Sequence, residues 1–137
     1  MINKVNNIFL KFYEVNMSNY NNENIFSKIL KKQIPCKEIS SDKNNFAFED
    51  INPQAPIHSL IIPKNKFKDF NDFIQDGTDE ELASFLKSIY NVVKKKKVEE
   101  SGYRIIINCG DDGNQEVPHL HAHLLAGRNL GKILSKK

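Results

Sequence analysis

Residues 117–128 read Val117-Pro118-His119-Leu120-His121-Ala122-His123-Leu124-Leu125-Ala126-Gly127-Arg128, and they hold three of the chain's four histidines at two-residue spacing. Alternate side chains of a β-strand point to opposite faces. A strand here puts His119, His121 and His123 on one face and Leu120, Ala122 and Leu124 on the other. On a helix the same spacing would scatter the rings around the cylinder. Both sets share a period of two, so the stretch is predicted to be a strand with an imidazole face and an apolar face. The imidazole face is expected to be open rather than packed, because partly charged rings contribute little to a core.

One histidine on a strand usually packs or meets solvent. Three in alternation ask for chemistry. A metal is one option, since imidazole suits zinc, copper and nickel. At about 3.4 Å per residue, however, the outer two Cα atoms of the row lie about 13 Å apart. An ion with bonds of about 2 Å would take two neighbours of the row and hardly all three. The third ligand would then have to be His58, Cys109 or a carboxylate. Imidazole catalysis is the other option: one ring attacks while its neighbours hold anionic oxygens or pass protons. A group that titrates near about 6.5 can be a neutral nucleophile at pH 7 beside a cationic neighbour. The spacing favours catalysis, with no metal.

Upstream of the triad, Tyr103 to Cys109 read as a strand with Asn108 near its end. Gly110 to Asn114 make a flexible turn that leads through Gln115 and Glu116 into the triad. Thr78 and Glu81 form a capping-box pattern, opening a helix that runs to about Glu100 and is closed by Gly102. Its apolar face is Leu82, Phe85, Leu86, Ile89 and Val93. Lys94 to Lys97 sit in its last turns, where cations favour the helix dipole, and they read as a solvated end rather than a nuclear-import or nucleic-acid patch. Residues 64–77 give a short helix and loops. Ile57 to Pro63 read as a strand buried on both faces, and His58 at its start reads as a satisfied structural residue. Two more strands, Lys37 to Ser41 and Phe46 to Glu49, flank the polar turn Asp42-Lys43-Asn44-Asn45. Asp50 follows as a cap or turn residue. Asn24 caps a first helix to Lys32, whose stripe Ile25, Phe26, Ile29 and Leu30 faces the core, and Pro35 stops it. The order α-β-β-β-α-β-β predicts an α+β domain with about five antiparallel strands and two helices.

The chain of 137 residues fits one domain, 39% hydrophobic and 27% charged, as in soluble globular proteins. Its net charge of +3 comes largely from lysine, with Arg104 and Arg128 the only arginines. A basic stripe interleaved with aromatic residues is lacking, so no nucleic-acid partner is expected. No apolar run approaches the ~20 residues that cross a membrane, so no membrane partner is expected either. Cys36 and Cys109 lack motif spacing, which points to a reduced, cytoplasmic compartment, with a nuclear share allowed. Residues 1–23, rich in asparagine, read as a flexible tail before a domain over 24–137. Ile8-Phe9-Leu10 is too short for a signal-peptide core. The absence of arginine and the presence of Glu14 weaken a transit-peptide reading, and Met17 offers an alternative start.

His119-Leu120-His121-Ala122-His123-Leu124-Leu125 fits the His-φ-His-φ-His-φ-φ signature, φ being apolar, and so resembles the histidine-triad (HIT) superfamily. The flanks Gly110 to Pro118 and Ala126-Gly127-Arg128 resemble its Hint branch, the purine nucleoside phosphoramidate hydrolases. Ile25 to Ile29, Ala47 to His58 and Gly102 to Asn108 resemble the same branch in the same order, so the likeness spans about residues 24–134. It implies a two-fold homodimer, in which the long helices and the strands from Tyr103 to Cys109 meet and join the two sheets. It also implies hydrolysis of a purine nucleoside 5′-phosphoramidate to AMP or GMP without a cofactor. His121 would be the nucleophile, and His123 would stabilise the phosphoryl oxygens. His119 and His58 would hold His121 in its productive tautomer, with a backbone carbonyl fixing its other nitrogen. Ile25, Phe26, Ile29, Phe48 and Ile51 would wall the nucleoside, and Asp50 would accept hydrogen bonds from the ribose hydroxyls. Asn108, Asn114, Gln115 and Glu116 would line the phosphate and its leaving group.

Three positions depart from the family pattern: Asn114 and Ala126 replace glycines, and Glu116 stands where animal-type members carry serine. The segment Asn129 to Lys137, without tryptophan, corresponds to the one that approaches the partner's site in dimeric relatives. Two other activities remain in view. The Gly-Asn-Gln-Glu loop and Ala-Gly-Arg exit argue against a dinucleoside polyphosphate hydrolase. A non-enzymatic nucleotide sensor or scaffold would keep the same pocket.

Overall fold

The computed structural model describes residues 20–135. The flexible tail expected over residues 1–23 lies outside the described residues up to residue 19. Tyr20, placed in that tail from sequence, is already buried in the domain. The chain forms α1 (Ile25–Leu30), β1 (Glu38–Ser41), β2 (Asn45–Glu49), β3 (Ile57–Pro63), α2 (Phe70–Asp76), α3 (Asp79–Lys96), β4 (Tyr103–Ile106) and β5 (Ala122–Ala126). The strands make one antiparallel sheet in the order β1-β2-β3-β5-β4. This is the expected α+β architecture, and α2 is the short helix expected within residues 64–77 beside the two main ones.

Strand alternation sorts the side chains onto two faces. Ala47, Ile61, Ala122 and Leu124 pack on α3 through Phe85, Ile89, Val92 and Val93. Phe48, Leu60 and Ile62 face the other way and are covered by Phe26 and Ile29 of α1. As α1 is only six residues long, it covers part of this face and leaves the rest for a site. Both capped starts form as expected. The Asn24 side chain accepts from Ser27 N at 2.9 Å, and Thr78 and Glu81 close a full capping box on α3.

The end of α3 differs from expectation. The helix stops at Lys96, and Lys97 takes the left-handed C-cap position at φ 57°, so Gly102 does not close it. Gly102, at φ 99°, instead turns the chain into β4. The apolar stripe also shifts: Val92 is fully buried, whereas Leu86 is 65% exposed.

The triad strand starts later than the sequence pattern suggests. In the β3–β5 register, Ile61 pairs with Ala122 and Leu60 with His123, so continuing the ladder would set Pro63 opposite Leu120. Proline has no N–H to donate, and Leu120 N bonds Phe67 O at 2.8 Å instead. Only His123 therefore lies in β5, while His119 and His121 lie on the irregular approach to it. β4 is likewise shorter than predicted. It ends at Ile106, and Asn108 sits in the following loop, where its amide donates to Gly113 O at 2.6 Å. At the far end of β5, Gly127 at φ 100° runs so close to Pro56 that an added Cβ would lie 2.7 Å from the proline Cβ.

Candidate active site

The expectation of an open imidazole face is not met. His119 and His58 are buried, and His121 is only 5% exposed. Burial of a polar ring requires partners for its nitrogens, and here those partners set the tautomer of every histidine. His119 Nε2 lies 2.8 Å from the Pro63 carbonyl, which can only accept, so the proton sits on Nε2. The free Nδ1 accepts from the Tyr20 hydroxyl. His121 Nδ1 is 2.7 Å from the His119 carbonyl and must donate to it, which leaves Nε2 as a bare lone pair. His58 Nδ1 accepts from Gln54 N at 3.0 Å, so its proton is on Nε2. That proton points to His123 Nδ1 at 2.9 Å, which places the His123 proton on Nε2. No hydrogen bond among the described residues occupies Nε2 of either His121 or His123. A lone pair and an N–H donor thus stand side by side on rings whose centroids are 5.0 Å apart.

The charge states agree with these tautomers. Burial lowers the pKa of all four rings. It takes His119 to about 4, the neighbouring His121 adding to the effect and the Pro63 carbonyl opposing it. His123 also falls to about 4, through burial and then the nearby His121 and His58, with Asp50 opposing. For His121 burial outweighs the His119 carbonyl and the carboxylates of Asp50 and Glu116. All four imidazoles are therefore neutral at pH 7.

His121 and His123 open onto a cavity of about 600 Å³. Its floor is apolar, built by Ile25, Phe26 and Ile29 of α1 with Phe48 and Leu60 of the sheet. The Phe26 ring stands edge-on to His121 at 4.9 Å, so one side chain both walls the cavity and wedges the imidazole.

A family model for the HIT domain matches residues 31–130. The chain belongs to the HIT domain family. An uncharacterised 13.2 kDa HIT-like protein of Azospirillum brasilense is 46% identical over 117 residues, covering 85% of this chain and 96% of that one. The purine nucleoside phosphoramidase of Escherichia coli K12 is 40% identical over 115 residues, 84% of this chain and 96% of that enzyme. The crystal structure of a HIT family hydrolase from Legionella pneumophila superposes with a TM-score of 0.73 at 42% identity. That match covers 78% of this chain and 95% of the other.

Within this HIT domain most of the predicted residues meet at one place. Ile25, Phe26, Ile29, Phe48, Asp50, Ile51, Asn108, Asn114, Glu116, His121 and His123 all border the cavity, although Ile51 is 88% exposed and stands at its rim. Asp50 divides its oxygens. Oδ1 accepts from Asn52 N at 2.8 Å as a turn residue would, and Oδ2 lies 3.3 Å from His58 Nε2. Asn114 occupies the left-handed region at φ 57°, a conformation asparagine tolerates better than most residues with a side chain.

Gln115 is not among the cavity residues. Its amide donates to the carbonyls of Lys68 and Val117 at 2.9 and 3.0 Å, and its oxygen accepts from Gly110 N at 3.1 Å. It braces the glycine-rich loop from behind. His58 touches His123 rather than His121, and the link from His119 to His121 runs through the backbone carbonyl rather than the ring. Sequence reasoning missed Leu60, Gln54 and Tyr20. Leu60 could have been found from the alternation starting at His58. The Gln54 backbone N–H and the Tyr20 hydroxyl carry no local pattern.

Asp50, His58 and His123 bring one donor atom each within 4.8 Å of one another. A metal on His58 Nε2 would need the proton moved to Nδ1, where the Gln54 N–H already donates. In this structure the group is wired as a hydrogen-bond relay. Cys109 has no part in it. No helix among the described residues is long and apolar enough to cross a membrane.

Proposed function

We propose that this protein is a hydrolase that cleaves the P–N bond of purine nucleoside 5′-phosphoramidates and releases the nucleoside monophosphate. The observation that carries the reading is the His121 tautomer. Its Nδ1–H is held by the His119 carbonyl at 2.7 Å, so the Nε2 lone pair is the nucleophile directed at an α-phosphorus in the cavity. The new bond joins Nε2 to phosphorus. The leaving nitrogen takes a proton from solvent, and the neutral amine departs with the electron pair of the P–N bond. Water then attacks the nucleotidyl-imidazole and gives up one proton to solvent, the P–Nε2 bond breaks with its pair returning to Nε2, and His121 returns to its neutral state. His123 Nε2–H and loop N–H groups hold the equatorial oxygens as charge builds on them. His58 keeps His123 in the donor tautomer, and Asp50 receives the ribose hydroxyls. The apolar floor takes the purine, which stacks without specifying adenine or guanine. The name of the Escherichia coli relative supports the leaving-group class. Positioning and hydrogen bonds carry this chemistry, so the reading calls for neither metal nor cofactor.

The same reading includes a cytoplasmic homodimer. Leu86 and Tyr90 on α3 and Tyr103 and Ile105 on β4 are large apolar side chains at 40–65% exposure beside an unpaired sheet edge. Such a patch favours a partner that pairs the edge and covers the ring faces. Sedimentation should give a dimer, and Ile105→Glu should give a folded monomer.

The deciding experiment is hydrolysis of adenosine 5′-phosphoramidate with chelator present, wild type against His121→Ala. AMP release by the wild type alone is the expected result. A wild type that binds AMP but releases none would favour the sensor or scaffold role. Activity lost in chelator would overturn the metal-free reading.

A further inference from the structure

Tyr20 lies outside the region matched to the HIT domain, which begins at residue 31, yet it is bonded to the centre of the site. It is 7% exposed, and its ring stands edge-on to His119 with centroids 5.6 Å apart. Burial raises the pKa of the phenol, with the nearby Asn24 and Ser27 side chains opposing, so it keeps its proton. It can therefore donate to the bare Nδ1 of His119. With Nε2 tied to Pro63 O, both nitrogens of this fully buried ring are engaged and the ring cannot turn.

The consequence reaches His121 through the backbone. Residues 117–121 precede the β5 ladder, so no sheet hydrogen bond of that ladder fixes the direction of the His119 carbonyl. The ties that hold this peptide are the His119 N bond to Val117 O at 2.9 Å, the Leu120 N bond to Phe67 O at 2.8 Å and the two ring bonds. We propose that Tyr20 is a positioning residue of the active site: its hydroxyl locks the His119 ring, so that the His119 carbonyl holds His121 with Nε2 free. The proposal rests on His121 being the nucleophile. Tyr20 does not border the cavity, so it acts on the reacting ring and not on substrate binding.

Tyr20→Phe in the full chain tests this, because it keeps the packing and removes one hydroxyl. The expected result is a kcat about tenfold lower, inside the ~100-fold that a small misplacement can cost, with KM and AMP affinity within about twofold of wild type. Ring ¹⁵N shifts should show His121 passing from a single Nδ1–H form to a mixture of tautomers. An unchanged kcat would overturn the proposal. A lower kcat and weaker AMP binding with unchanged His121 shifts would also overturn it, since packing alone would then explain the loss. In the wild type the same spectra should show His119 protonated on Nε2 and bare on Nδ1, and the opposite tautomer would refute the lock. That spectrum needs neither a folded variant nor turnover, so failure of the lock and failure of the phosphoramidate reading remain distinguishable.

Discussion

Leu120, Ala122 and Leu124 are fully buried on the α3 face of the sheet, and one residue away His119 and His121 are almost as deeply buried on the opposite face. The two faces are packed to the same depth by different rules. On the apolar face any side chain of the right shape will serve, because dispersion and burial have no direction. On the imidazole face each buried nitrogen needs a partner; Pro63 and Tyr20 come from distant segments, and the Gln54 N–H and the His119 carbonyl from close by in the chain. The Nε2 atoms left over are the ones that face the cavity. A buried face with every polar atom assigned can thus hold one lone pair in a set place, and the neighbouring face supplies the rigidity.

Breaking the imidazole face at its centre should have the largest effect. His121→Ala is expected to reduce phosphoramidate turnover by about 10⁴-fold or more, as loss of a nucleophile does elsewhere. An exposed site would have made this substitution free of structural cost. At 5% exposure the ring leaves a small void beside Phe26, and a melting temperature a few degrees lower is expected. Turnover within about tenfold of wild type would remove His121 from its role.

Leu124→Ala is the matching cut on the apolar face. Leu124 is fully buried in the α3 cluster, and truncation there should cost about 2–5 kcal/mol of stability in a denaturant titration. Where the variant is still folded, kcat should stay within about threefold of wild type. A large loss of kcat in folded Leu124→Ala would show that the faces are coupled more tightly than their packing suggests.

Acid separates the faces without mutation. His119 and His123 have folded pKa values of about 4, below the ordinary unfolded value of about 6.5. The unfolded chain therefore binds more protons between those limits, and stability falls as pH falls through that window. It is fully present above about 6.5, and the buried His119 alone accounts for a loss of order 3 kcal/mol by pH 4. Unfolding free energies measured from pH 7.5 to 4.5 should decline across this range. A flat profile would mean that the rings titrate in the folded protein as they do in the unfolded chain. The apolar face contributes no such slope.

The sorting of faces was legible in the sequence, because alternation is local: Leu120, Ala122 and Leu124 against three histidines is a pattern within six residues. So were the capping box at Thr78 and Glu81 and the apolar wall on α1. The rest depended on distance along the chain. Pro63 ends the ladder and accepts from His119, 56 residues on, and Tyr20 reaches the same ring across 99. A tyrosine in an asparagine-rich stretch carries no signal of that contact. Gln115 looked like a phosphate ligand by its place in the loop, but its amide is taken up by the Lys68 and Val117 carbonyls. Leu86 fitted the helical stripe yet is exposed, and Val92 is buried in the α3 cluster instead.

The smallest expected effect is at Glu116, an exposed carboxylate beside the neutral imidazoles. It borders the cavity and raises the proton affinity of His121, but it makes no hydrogen bond or ion pair among the described residues. Beside an anionic phosphoryl group a carboxylate repels, unless the substrate brings a cation of its own. The leaving group is where that cation would sit, so Glu116 should favour leaving groups with a second, cationic amine, such as a diamine joined to phosphorus through one nitrogen. Exposed ion pairs are worth about 0.2–1 kcal/mol, which limits the preference to roughly fivefold. In Glu116→Gln the ratio of kcat/KM for a cationic against a neutral amine conjugate of AMP should drop by about that factor, and added salt should reduce the wild-type ratio in the same direction. An unchanged ratio would mean that the carboxylate turns away from the leaving group, and selectivity would then have to come from shape.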